Sequence, residues 1–350
     1  MLKKENYSFL SRILHHLILG NNFILEMLHD LEASIYKNKI NNNKLKKHIF
    51  ICGLARSGTT ILMKSLYETN EFASLTYRDM PFIILPNLWS KISSRIKKGE
   101  DKIRAHNDRI LVNIDSPEAL DEIFWRVKLQ HQYIFPNKLL VHKVDEFTIN
   151  EYINFISLIL YKYKKEFYIS KNNNNLLRIE SIAEAFPNSL FLVPFRDPFQ
   201  QAYSLLTQHK NFINLQTEDK FVKNYMTYLV HHEFGIDHRP YDFGTKNKIE
   251  TNRDSIEYWL EQWINAYEYI SQEKFIKNKN IVYINYENLC KNPQKIFDYI
   301  SKRINLDGLL LKNNHKFEIS YKNITTPKSI ISSKAKDIFE KLKTLSNNIF

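Results

Sequence analysis

The stretch His48-Ile49-Phe-Ile-Cys-Gly53-Leu-Ala-Arg56-Ser57-Gly58-Thr59-Thr60-Ile-Leu-Met63 decides the fold. Its first six residues form an apolar, β-rich run ending on glycine, the pattern of a short buried strand. From Ser57 the period changes to that of a helix, with Ile61, Leu62, Ser65 and Leu66 on one face, extending to about residue 68. A strand that passes through a glycine-bounded turn straight into a helix places that turn at the helix N-terminus. Backbone N–H groups are unpaired there and the helix dipole favours negative charge, so the turn suits a phosphate. The glycines alone would fit an ordinary tight turn equally well.

The spacing of Gly53 and Gly58 matches the Walker A loop G-x-x-x-x-G-K-[ST]. The lysine position, however, holds Thr59. A kinase or ATPase needs that lysine on the β- and γ-phosphates and the following hydroxyl on Mg²⁺. A nucleotide kinase with a degenerate Walker loop stays open only if a lysine from elsewhere compensates. The loop does carry Arg56, with hydroxyls at Ser57, Thr59 and Thr60, a donor set for an anion.

A second stretch, Phe186-Pro-Asn-Ser-Leu-Phe-Leu-Val-Pro-Phe-Arg196-Asp197-Pro198, reads as an apolar strand over 189–194, then a loop and a helix over 199–209. The strand delivers Arg196 at its carboxyl end, and the helix presents Ser204 two turns in. An arginine fork with a hydroxyl is a good receptor for a phosphate dianion. Asp197 is placed to cap the helix. Taken alone, these residues fit a capped helix beside a surface arginine just as well.

Together the two stretches resemble the sulfotransferase superfamily that uses 3′-phosphoadenosine-5′-phosphosulfate (PAPS). Phe50-Ile-Cys-Gly-Leu-Ala-Arg-Ser-Gly-Thr-Thr is similar to its 5′-phosphosulfate loop, in the Arg-Ser-Gly-Thr-Thr form of tyrosylprotein and many bacterial carbohydrate sulfotransferases. Phe-Pro, an apolar strand, Arg-Asp-Pro and a later Ser resemble the 3′-phosphate element. Ile281-Val-Tyr-Ile-Asn-Tyr286-Glu287-Asn-Leu289 resembles the late strand and Tyr-Glu-x-Leu turn, where Tyr286 and Glu287 would hold the fold. The resemblance spans about residues 50–300. It implies that Arg56, Ser57, Gly58, Thr59 and Thr60 hold the 5′-phosphate, that Arg56 faces the sulfuryl group, and that Arg196 and Ser204 hold the 3′-phosphate. The product would be 3′-phosphoadenosine 5′-phosphate. The phosphosulfate is a good leaving group, so no metal is required. The expected reaction moves a sulfuryl group to an acceptor hydroxyl, on a carbohydrate or glycoconjugate.

Such a transfer needs in-line positioning, charge stabilisation and a base for the acceptor proton. Asp79, beyond the helix that leaves the loop, is one expected base; it would otherwise pair with Arg78 or cap a helix. Lys171, after a short strand, resembles the family's lysine before the 3′-phosphate element and would stabilise the bridging oxygen; a solvated loop lysine is the other reading. His209 ends the helix that carries Ser204. In His231-His232-Glu233, the histidines lack the i, i+4 spacing of a zinc pair. His232 is a candidate acceptor contact, or a satisfied histidine at a helix end. In 116–126, Ser116 and Pro117 read as the start of a helix, and Trp125 and Arg126 would line an acceptor cleft or belong to core and surface.

The rest of the chain gives context. Strands expected at 166–170 and 280–285, with helices over 150–165, 176–186, 254–272 and 289–303, alternate as in a parallel sheet flanked by helices. The expected fold is α/β: a P-loop-like central parallel sheet with helical insertions and an N-terminal helical leader. Residues 1–47 form the leader and a polar linker, and 48–350 one α/β domain. The leader reads as two amphipathic helices, over 7–19 and 23–37, packed on the body; contact with a membrane surface is their other use. No run of 18 uncharged apolar residues suggests a transmembrane helix, and no clean signal peptide is expected. The formal charge of +12 favours an anionic partner, and no nucleic-acid motif accompanies it. Cys52 and Cys290 read as small buried hydrophobes outside any disulfide framework, which suits a reducing, cytoplasmic setting. A binding module that holds nucleotide or glycan without catalysis is the remaining alternative; the acceptor and the oligomeric state stay open.

Overall fold

A computed structural model describes residues 7–40, 46–104, 110–244, 251–306, 309–311, 317–319, 321–324 and 330–349. Residues 41–45 of the expected linker lie outside them. The chain opens with α1 (Phe9–Leu19) and α2 (Asn22–Tyr36), then β1 (Ile49–Ile51), α3 (Thr59–Tyr67), β2 (Phe72–Ala73) and α4 (Pro86–Ser93). Next come β3 (Lys102–Ile103), β4 (Leu111–Val112), α5 (Glu122–Tyr133), β5 (Ile134–Phe135), β6 (Lys138–Leu140), α6 (Glu146–Tyr163), β7 (Phe167–Lys171), α7 (Ile179–Ala185) and β8 (Leu190–Phe195). The chain continues with α8 (Pro198–Glu218), α9 (Lys220–Tyr228), β9 (Tyr241–Asp242), α10 (Ile256–Ile270), α11 (Glu273–Ile276), β10 (Ile281–Asn285), α12 (Tyr286–Lys291), α13 (Pro293–Ile304) and α14 (Ile330–Ser346).

Five strands form one parallel sheet in the order β10-β8-β1-β7-β2. β1 lies in the middle and is wholly buried, as its unbroken apolar run requires for a strand covered on both faces. One face packs Ile49, Ile51, Leu62, Leu66 and Leu192 against α13 residues such as Phe297 and Ile300. The other packs Phe50, Phe191 and Phe186 against the larger core around Trp125, Tyr152 and Trp263. Two small sheets, β3–β4 and β5–β6–β9, lie outside it; their two- and three-residue strands carry too little pattern to be read from sequence.

The leader packs on the body. Leu19 and Leu25 enter the main core. Glu32 of α2 is buried and accepts from the backbone N–H groups of Asn87 (2.6 Å) and Leu88 (3.2 Å), which caps the start of α4. Arg126 ties the leader further, donating to the carbonyls of Leu19 and Tyr228. Its neighbour Trp125 is fully buried in the core, so neither residue lines a cleft.

The segment from Ser116 departs from expectation. The helix begins only at Glu122, because residues 116–121 are held inward. Thr76 bridges to Pro117, and the Glu118 N–H donates to Leu75. Asp121 accepts from Ser170 at 2.6 Å and Tyr152 at 3.0 Å. Glu122 forms a bidentate pair with Arg178 at 2.8 and 2.9 Å and accepts from Asn172 at 2.7 Å. These contacts fix the loop against the carboxyl end of β7 and set Glu118 beside Lys171. Several helix bounds also differ, α6 starting at Glu146 and α7 at Ile179. α8 continues to Glu218, since nothing after His209 breaks it, and the helix expected over 289–303 is interrupted at Asn292-Pro293.

Candidate active site

The loop after β1 turns on two left-handed residues. Gly58 has φ 95° and caps α3; a Cβ there would sit 2.8 Å from Cε2 of Tyr286. Only glycine fits that position without displacing the ring. Arg56 has φ 70°, an uncommon value for a residue with a Cβ, and from that conformation its Nε reaches Ser204. Ser57 is fully buried and its hydroxyl donates to the Leu54 carbonyl at 2.8 Å. Ser57 thus stabilises the turn internally, while Thr59 and Thr60 open α3 beside the cleft.

The second element meets this loop directly. β8 delivers Arg196, and Asp197 caps α8 by accepting from the Gln200 N–H at 2.9 Å. The Asp197 N–H donates to Glu287 at 3.2 Å, which ties the start of α8 to the turn after β10. Ser204 follows two turns into α8, and Arg56 Nε donates to its Oγ at 3.0 Å. Gln201 adds a second link, donating to the Ala55 carbonyl at 3.0 Å while accepting from Trp263 at 3.1 Å. The Arg196 guanidinium lies 5.1 Å from the centre of the Tyr286 ring, the same ring that Gly58 leaves room for.

Arg56, Arg196, Ser204 and Tyr286 share a cleft of about 950 Å³ with a second group of charges. Glu118 accepts from the Tyr77 hydroxyl at 2.8 Å, and it pairs with Lys171 at 3.5 Å and Arg104 at 3.6 Å. Burial raises the Glu118 carboxyl, but Lys171, Arg104 and His231 outweigh it and hold the group far below the ordinary carboxylate range. Arg104 also donates to Thr60 at 3.3 Å, joining this group to the loop after β1. In the same cleft, His231 Nδ1 lies 3.6 Å from Glu233, which accepts from Asn173 at 2.7 Å. Burial pushes Glu233 up, yet His231 and Lys171 bring it down to about 2. Phe212, Tyr225, Met226, Leu229 and Phe234 supply an apolar wall.

Arg56, Gly58, Thr59, Thr60, Lys171, Arg196 and Ser204 therefore line one cleft. Asp79 and His209 do not. Asp79 is fully buried, accepting from the Thr76 N–H at 2.8 Å and Tyr163 at 3.0 Å while paired with Lys162. Its carboxylate closes a capping box instead of facing an acceptor. His209 is buried against Trp259 and His238, accepts from the Gly235 N–H at 3.1 Å, and is lowered by burial to about 4. Of the histidine pair, His231 lines the cleft, while His232 turns inward to the Asp237 carbonyl at 2.9 Å. Among the described residues, the close group of metal-type ligands is His29, Asp30 and Glu151, none of which lines the cleft.

The sequence profile of the family described as "Sulfotransferase family" matches residues 48–239, more than half of the chain. The chain belongs to the sulfotransferase family. No curated protein sequence matches this sulfotransferase. Among solved structures it is similar to sulfotransferase STF1 from Mycobacterium tuberculosis H37Rv, at 11% identity over 99% of this chain and 88% of that one, with a TM-score of 0.46. It is also similar to sulfotransferase STF9 from Mycobacterium avium, at 12% identity over 96% and 78%, with a TM-score of 0.44. A sulfotransferase domain from the curacin biosynthetic pathway matches at 14% identity over 85% and 98%, with a TM-score of 0.38.

Among the cleft residues that the sequence reading does not single out are Arg104, Glu118, His231 and Tyr286 in its cleft role. Glu118 was masked by a convincing helix-start signal, and Arg104 lies between strands too short to show a period. Tyr286 carried a signal, the Tyr-Glu-x-Leu turn, but its ring reaches the cleft only because β10 ends beside β8.

Proposed function

We propose that this sulfotransferase takes the sulfuryl group from PAPS and delivers it to an acceptor hydroxyl on a carbohydrate or glycoconjugate. One observation carries the reading: Arg56 and Ser204, from two elements 148 positions apart, touch in the cleft that Arg196 also lines. A 3′,5′-bisphosphate nucleotide needs two anion sites at once, and a triphosphate site would need a lysine that Thr59 replaces.

In this reading the α3 N-terminus, Thr59 and Thr60 hold the 5′-phosphosulfate, and Arg196 with Ser204 holds the 3′-phosphate. The acceptor oxygen attacks sulfur as the bond from sulfur to the bridging oxygen breaks. Lys171 and Arg56 stabilise the charge that develops on the leaving oxygen and the sulfuryl group. The acceptor proton passes to His231, which Glu233 orients from the far side of the ring. Glu118 is too acidic in its cationic surroundings to be an effective base; it positions Lys171 and Arg104. The apolar wall beside these polar groups suits a sugar ring, with C–H faces and hydroxyl edges. Transfer of labelled sulfate from PAPS to a panel of glycans, lipids and peptides tests the reading. Labelled glycan is expected; nucleotide binding with no transfer to any acceptor would favour a binding module, and EDTA-sensitive ATP turnover a kinase.

A further inference from the structure

The leader helices bury one side against the body and leave the other side apolar. On α2, Leu25, His29, Glu32 and Tyr36 face inward. Phe23, Met27, Leu31 and Ile35 form an outward stripe at i, i+4 spacing, with Phe23 69% exposed. On α1, Leu10, Ile13 and Leu17 are exposed in the same manner. Folding does not require this second face, and exposed apolar surface of this extent marks an interaction site.

A separate feature adjoins the stripe. Directly after Ile35, Tyr36 and Tyr161 line a recess of about 530 Å³ with Lys39, Lys91, Lys162 and Lys164 around it. The Lys162 ammonium is paired with Asp79, but Lys39, Lys91 and Lys164 are exposed. Three cations and two tyrosines at the end of an apolar stripe match the boundary of a bilayer, where tails give way to phosphate headgroups. A second copy of the chain would have to bring carboxylates to these lysines. The outward acids of α2 are Glu26, already paired with Lys128 at 3.2 Å, and Asp30.

We propose that the outer face of the α1–α2 pair docks on an anionic phospholipid bilayer, with the lysine recess receiving lipid phosphate. The helices lie in the interface; none of the described helices is long and apolar enough to cross a membrane. This inference is independent of the nucleotide reading.

The test is flotation of the full chain with vesicles of phosphatidylcholine alone, or with phosphatidylglycerol added, at low and high salt. Co-flotation is expected only with phosphatidylglycerol and should weaken as salt rises. Lys39→Ala should lower the partition coefficient about fivefold, the loss of one cation near an anionic surface. Leu10→Glu/Phe23→Glu should abolish binding with an unchanged melting temperature, because both side chains are exposed. No flotation at low salt, equal flotation with neutral vesicles, or flotation retained in both variants would overturn the proposal. So would a concentration-dependent dimer that Phe23→Glu dissolves, since the stripe would then be an interface between copies.

Discussion

Arg56 Nε donates to Ser204 Oγ at 3.0 Å, joining the loop after β1 to the second turn of α8. Neither residue sits deep in the hydrophobic core, and both line the cleft. The contact therefore shapes the cleft more than it stabilises the fold. Ser204→Ala is expected to weaken 3′-phosphoadenosine 5′-phosphate binding by about ten- to a hundredfold, the usual range for a hydrogen bond to a charged group. The melting temperature should stay within a degree or two. An unchanged dissociation constant in calorimetry would place the 3′-phosphate elsewhere.

Gly58 and Tyr286 form the second constraint on the loop. Gly58→Ala combines a left-handed backbone with a collision against the Tyr286 ring, so a loss of about 1–3 kcal/mol is expected in urea denaturation. Tyr286→Ala in the same chain should recover part of that stability. It should not recover nucleotide binding, because the stack under Arg196 is lost. Full additivity of the two losses would show that the ring and the glycine are uncoupled.

Asp79 and His231 should separate stability from catalysis. Removing one partner of the buried Lys162–Asp79 pair strands a charge, and Asp79→Asn is expected to cost about 3–5 kcal/mol of stability. His231→Ala should lower kcat about 10²- to 10⁴-fold, the usual worth of a general base, and cost less stability than Asp79→Asn, because Lys171 and Asn173 still face the Glu233 carboxylate. Glu233→Gln should lower kcat less and leave KM for PAPS unchanged. A fully active His231→Ala would assign proton transfer to another group or to water.

Acid should loosen the wall behind the cleft. Burial pushes His209 and His232 down to about 4 and His238 down to about 3, from an ordinary 6.5. These imidazoles stay neutral in the folded chain but take a proton once unfolded. Stability is therefore complete above about pH 6.5 and falls as pH drops towards about 4, by on the order of 1.4 kcal/mol per unit for each group at full effect. The depressed carboxyl of Glu233 continues the same trend below 4.5. Urea midpoints at fixed salt between pH 7.5 and 4.5 check this; a flat profile would mean that these histidines protonate without unfolding.

Sequence patterns made the sheet legible because each central strand is a short apolar run beside a turn or loop, and Gly53, Gly58 and Asp197 punctuate the two elements that meet at the cleft. The leader helices and their packing were also readable from amphipathic spacing. The far side of the cleft was not. Asp79 lies in the expected neighbourhood of the chain, but a capping box and Lys162 turn its carboxylate into the interior. Glu118 sits in what reads as the first turn of a helix, and only the long-range pull of Lys171, Arg104 and Tyr77 brings it to the cleft. His231 and His232 are adjacent and chemically identical, so no local pattern could say which one lines the cleft.

The most direct measurement is calorimetric titration of the protein with 3′-phosphoadenosine 5′-phosphate, alongside Arg56→Ala and Arg196→Ala. Saturable 1:1 binding without added metal is expected, weakened at least tenfold in each variant. Absent binding, or equal affinity in all three proteins, would contradict a bisphosphate nucleotide held between the loop after β1 and the end of β8.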